Sequence, residues 1–189
     1  MGSIASAGQA CNAIARLDEA RDQDKPAFLA LNPNAKVPVL VHDGTPIFES
    51  VAIAIHLGET FGVEKKLFPA SGLLRAEALK WLVWANVSLG EAFSRFQRNT
   101  SPQIPAEQQN AKTAEVGKAD VEKHLAILDA ALEGKAYLVG NSFSLVDAHL
   151  ASWVGYIEMC GVDTKRWANL GAWAKRCTAR PAFAVSMAP

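Results

Sequence analysis

The 189-residue sequence predicts an α+β chain, a small mixed domain followed by an all-helical one. Three observations carry that prediction. Short apolar runs broken by turns fill the first seventy residues, long stretches of helical periodicity fill the rest, and a Pro/Gly-bearing segment separates them. Half the residues are hydrophobic and a fifth are charged, an ordinary globular balance.

In the first half, "SAGQACNAIARLDEA" (6–20) places Ala10, Ala13, Ile14 and Leu17 at helical spacing, so a helix is expected to start near Ser6 to Gln9. "KPAFLALNP" is a short helix or turn stopped by Asn32-Pro33. Val37 to Val41 and Thr45 to Phe48 read as strands, and the Asp43-Gly44 pair between them signals a hairpin. Pro38 cannot donate to a sheet ladder, so its strand belongs at an edge. A helix follows from "ESVAIAIHLGETFG" and ends before Gly62.

"LFPASG" is the expected linker, which sets the domains at 1–68 and 73–189. Beyond it, Leu73 to Arg98 reads as one long helix with Leu74, Ala78, Trp81, Leu82 and Ala85 on a common stripe. Val121, Leu125, Leu128 and Leu132 mark the buried face of a second. "SFSLVDAHLASWVGYI" and "RWANLGAWAKRCTA" supply two more. Ser144 and Asp147 have capping-box spacing, with Phe143 as the staple residue and a small partner at Ala148.

Composition excludes several function classes. Nineteen Lys and Arg balance nineteen Asp and Glu, so no basic field exists to hold nucleic acid or acidic lipid. Cys11, Cys160 and Cys177 show no CxxC spacing and the four histidines no HxxxH pair. That pattern argues for a reduced, cytoplasmic chain with neither disulfide framework nor metal. No apolar run is long enough to span a bilayer. "MGSIAS" fits an N-myristoylation pattern, but no basic cluster or second lipid signal accompanies it.

Chemistry concentrates in one place. Ser50 follows the second strand and is placed to cap the next helix, whose N-terminus suits a carboxylate or phosphate. Glu49 beside it suits an ammonium group. Together they match the α-amino acid head of a ligand, while an edge strand kept open by Pro38 presents Val37's backbone to an extended peptide.

These residues carry a resemblance. "LNPNAKVPVLVHDGTPIFESVAIAIHL" (31–57) is similar to the glutathione-binding half of the cytosolic glutathione transferase family. "YLVGNSFSLVDAHL" and "RPAF" resemble its C-terminal domain, so the likeness spans roughly residues 25 to 185. The resemblance implies a thioredoxin-like N-terminal domain with a cis proline at Pro38, and a homodimer. It also implies that Val37 holds the cysteinyl part of glutathione, that Glu49 and Ser50 hold the γ-glutamyl head, and that Lys36 approaches the glycyl carboxylate. The reaction implied is attack of glutathione thiolate on an apolar electrophile, as in detoxification, with glutathione as co-substrate and no metal.

The first thirty residues depart from the family pattern. Strand, helix, strand and helix before Val37 need roughly forty-five residues, and thirty-six are present. A shortened or missing strand is expected, in the region where the family carries its catalytic residue. Lowering a thiol pKa from about 8.5 by roughly two units takes about 2.7 kcal/mol. One hydroxyl hydrogen bond to the thiolate supplies about 1.5–3 kcal/mol and a helix N-terminus about 0.3–1.

The only tyrosines are Tyr137 and Tyr156, which leaves Ser6 as the candidate hydroxyl, with Ser3 second and Cys11 as rival. The acceptor pocket is expected between Ser6 and the helix bearing Trp84, Phe93 and Phe96, aromatics whose spacing also suits a core. Two alternatives stay open: a non-catalytic glutathione-binding scaffold, like the domain in elongation factor 1 gamma, and a cysteine-type thiol transferase.

Overall fold

The protein's structure is a computed structural model, which describes residues 22–183. Contacts divide the chain into two compact units that meet in sequence at Leu57 and Gly58.

The first unit contains a short helix, α1 (Pro26–Leu29), a two-stranded antiparallel sheet of β1 (Val39–His42) and β2 (Thr45–Phe48), and α2 (Ser50–Leu57). Pro26 opens α1 at the position where a missing N–H costs nothing. The register pairs Val39 with Phe48 and His42 with Thr45, leaving Asp43-Gly44 as a two-residue loop. Both loop residues have positive φ (48° and 78°), the combination a type I′ turn requires. The Val37–Pro38 bond is cis, and the strand begins at Val39, two residues later than its apolar run, because Pro38 has no N–H for the ladder. The expected helix at 6–20 lies outside the described residues.

The second unit is helical. Its long first helix comprises α3 (Gly72–Trp84), a π-helical turn (Ala85–Leu89) and α4 (Gly90–Arg98). It is followed by α5 (Ala111–Ala131), α6 (Leu145–Met159) and α7 (Ala168–Thr178). Ala78, Trp81, Leu82 and Ala85 are buried as their stripe predicts, but Leu74 is 52% exposed and leaves it. The first turn of α3 overhangs the core, so the stripe begins one turn later than periodicity suggests. Val121, Leu125, Leu128 and Leu132 are all buried.

Asn110 caps α5 by accepting from the Thr113 N–H at 2.9 Å. The capping box of α6 is formed, and its buried Asp147 carboxylate does more than cap. It accepts from the Ser144 N–H (2.9 Å), the Ser144 hydroxyl (2.8 Å), the Leu138 N–H (2.9 Å) and the Trp173 indole N–H (2.9 Å). One carboxylate thus joins the loop before α6 to α7. Phe143 packs edge-on to Tyr137 and beneath the Arg180 guanidinium, large partners that Ala148 could not replace.

Candidate functional site

The hairpin register decides what lies together. Val39 pairs with Phe48, so the segment entering β1 and the segment leaving β2 emerge at the same end of the ladder, away from the turn. Lys36, Val37 and Pro38 form the first segment, and Glu49 and Ser50 the second. Adjacent strands run about 5 Å apart, so the five residues flank one patch of the first unit's surface. Val37 is 61% exposed and Lys36, Pro38 and Glu49 are exposed as well.

Glu49 sits at φ +69°, a left-handed conformation that only a few per cent of non-glycine residues adopt. Such a residue costs on the order of 1 kcal/mol and concentrates at ligand clamps. The Glu49 carbonyl accepts the first bond of α2, from the Ile53 N–H at 3.0 Å. The cap position therefore falls on Glu49, and Ser50 is the first residue of the helix rather than its cap. The N–H groups of Val51 and Ala52 lie in the first turn of α2, where the helix dipole points its positive end. Acidic side chain and anion-seeking helix end are adjacent, an arrangement that complements a zwitterion.

Two features hold the hairpin and its entering loop in shape. At the far end of β1, His42 and His56 share a hydrogen bond, Nδ1 to Nε2 at 2.7 Å, which clips the strand to the last turn of α2. Before β1, Asn32 is 2% exposed and its carboxamide spans the entering loop. Its Oδ1 accepts from the Asn34 N–H (3.0 Å) and Asn34 Nδ2 (3.1 Å), and its Nδ2 donates to the Lys36 carbonyl (2.6 Å). Sequence reasoning missed both. The histidines are fourteen residues apart with no motif, whereas Asn32-Pro33 offered a signal that read only as a helix stop.

Ser3, Ser6 and Cys11 lie outside the described residues. Phe93 and Phe96 are buried at 2% and 7% in the second unit, where Phe93 packs edge-on against Trp153 and Tyr156. They belong to the helical core. The Trp84 ring lies 5.6 Å from His124. Among the described residues no cluster of three or more His, Cys, Asp or Glu could hold a metal ion. Burial, with the Asp147 carboxylate adding to it, pushes the Cys177 thiol up to about 12, which keeps it protonated and unreactive at neutral pH.

Comparison with known proteins follows the same division. Residues 13–59 match the profile "Glutathione S-transferase, N-terminal domain", a span that contains all five patch residues. Residues 92–181 match "Glutathione S-transferase, C-terminal domain". Glutathione S-transferase GstB of Escherichia coli K12 is 31% identical over 157 residues, 82% of this chain and 74% of that protein. The chain belongs to the glutathione S-transferase family.

Solved structures of the family agree. A sphingomonad glutathione S-transferase complexed with glutathione is 30% identical and superposes with a TM-score of 0.74, over 85% of this chain and 76% of that one. A glutathione transferase from Burkholderia graminis, with two glutathione molecules bound per subunit, is 27% identical with a TM-score of 0.77, over 87% and 72%. The fold is that of a glutathione transferase, and glutathione transfer is the activity class to which the chain is assigned. No described helix is long and apolar enough to cross a membrane.

Proposed function

We propose that this protein binds glutathione on the patch formed by Val37, Pro38, Glu49 and Ser50, and delivers its thiolate to a small apolar electrophile. The observation that carries the reading is the hairpin register, which brings the exposed Val37 segment, the Glu49 carboxylate and the N-terminus of α2 to one end of β1 and β2. The cysteinyl backbone pairs with Val37 as an added strand would. The γ-glutamyl ammonium meets Glu49, and its carboxylate meets Ser50 and the first amides of α2. Lys36 faces the glycyl carboxylate.

Ser6 lowers the thiol pKa by hydrogen bonding to the thiolate, and Cys11 is the alternative reactive group. The protein acts in the cytoplasm as a homodimer, an assembly consistent with the exposed apolar side chains of Leu73, Val83 and Val87 on the long helix of the second unit.

Conjugation of a chlorinated aromatic to glutathione, followed by absorbance, tests the reaction. Activity lost in Ser6→Ala and kept in Cys11→Ser supports the serine mechanism. The reverse pattern supports a cysteine-type thiol transferase. Retention on immobilised glutathione without turnover in the wild type identifies a scaffold and contradicts the enzymatic reading.

A further inference from the structure

We infer that Asn32 is a positioning residue for glutathione: by holding the Lys36 carbonyl it aims the Val37 N–H at the ligand. The inference rests on the proposed binding mode. Lys36 C=O and Val37 N–H belong to one planar peptide group and point in opposite directions across it. Fixing the oxygen therefore fixes the direction of the hydrogen. Asn32 Nδ2 holds that oxygen at 2.6 Å, from a side chain that is itself 2% exposed.

Asn32 cannot turn away from this task. Its Oδ1 is engaged by the Asn34 N–H and Asn34 Nδ2, and its backbone carbonyl accepts from the Ala35 N–H at 3.1 Å. Pro33 presets φ at the second position of this turn, and Ala35, at φ 53°, carries the chain out of it. The loop is thus tied at three points to one residue, and the last tie is on the peptide that faces the ligand. The Val37 N–H donates to no partner among the described residues. A hydrogen bond on the carbonyl side of a peptide also polarises its N–H, making it a stronger donor.

The test separates donor from acceptor. Asn32→Asp keeps the acceptor for the Asn34 N–H and loses the amide donor. Asn34→Ala removes one side-chain contact and leaves the Lys36 carbonyl held. Glutathione is titrated into the nitrogen-15-labelled full chain, following amide resonances. In the wild type the Val37 amide is expected to shift more than the neighbouring Val39 amide.

Asn32→Asp is expected to weaken glutathione binding roughly three- to tenfold, the worth of one modest hydrogen bond, and Asn34→Ala, which keeps the Lys36 carbonyl held, to weaken it less. Equal affinity in Asn32→Asp and wild type overturns the inference. So does a Val37 amide that stays put while glutathione binds, an outcome readable in the wild type even where Asn32→Asp does not fold. A wild type that binds no glutathione defeats the underlying binding mode, a separate result.

Discussion

At Asp147 one side chain gathers several of the helical unit's buried hydrogen bonds. It is fully buried and receives four hydrogen bonds from Leu138, Ser144 and Trp173. Removing it strands several buried donors at once, and each costs about 1–3 kcal/mol. Asp147→Ala is expected to lose at least about 3 kcal/mol, measured by urea denaturation.

His149 is a second residue-scale case. Its Nε2 lies 2.9 Å from Asn86 Oδ1, an acceptor shared with the Trp153 indole N–H. Burial lowers its pKa to about 4 from 6.5. Neutral in the fold and protonated when unfolded, it makes the unfolded state bind more protons between those values. Stability is therefore full above about pH 6.5 and falls as pH drops toward 4, by a few kcal/mol at most, on the order of 1.4 kcal/mol for each pH unit between the two values. In His149→Gln, denaturation midpoints measured across that range are expected to fall less steeply with acidification.

At the scale of elements, the helices pack by different rules at different glycines. Gly117 lies where α5 meets α4, and an added Cβ would fall 2.6 Å from the Phe96 backbone nitrogen. Gly117→Ala is expected to destabilise by about 1–3 kcal/mol, because a backbone cannot step aside. Gly155, in α6, faces open space. Gly155→Ala is expected to stabilise by up to about 1 kcal/mol through helix propensity alone. Thermal melts of the two variants should therefore move in opposite directions.

The elements were largely legible because their signals are local. Val121, Leu125, Leu128 and Leu132 announce a buried face by spacing, and Asp43-Gly44 announces its turn by the φ angles it tolerates. What sequence could not show depends on contacts distant along the chain. The π-helical turn at Ala85–Leu89 carries no proline or other break. The exposure of Leu74 depends on where the core ends. In the candidate site, Val37, Pro38, Glu49 and Ser50 were recognisable by type and order. The clip between His42 and His56 was not, and the cap shifted from Ser50 to Glu49 because the backbone turns left-handed one residue earlier.

For the whole molecule, the hairpin unit holds the residues of the proposed glutathione patch, and the helical unit most of the described buried core. The division into two domains is that of the family to which the chain belongs, and the residues of the proposed patch, 36–38 and 49–50, all lie in the first unit. In the proposed binding mode a tripeptide is held by the Val37 backbone at one segment and by paired charges at the next. Calorimetric titration of glutathione into the wild type and Ser50→Ala tests this most directly. A single-site heat per chain is expected in the wild type, and binding at least about tenfold weaker in Ser50→Ala, where a hydrogen bond to a charged group is lost. No heat in the wild type, or equal binding in both proteins, would contradict it.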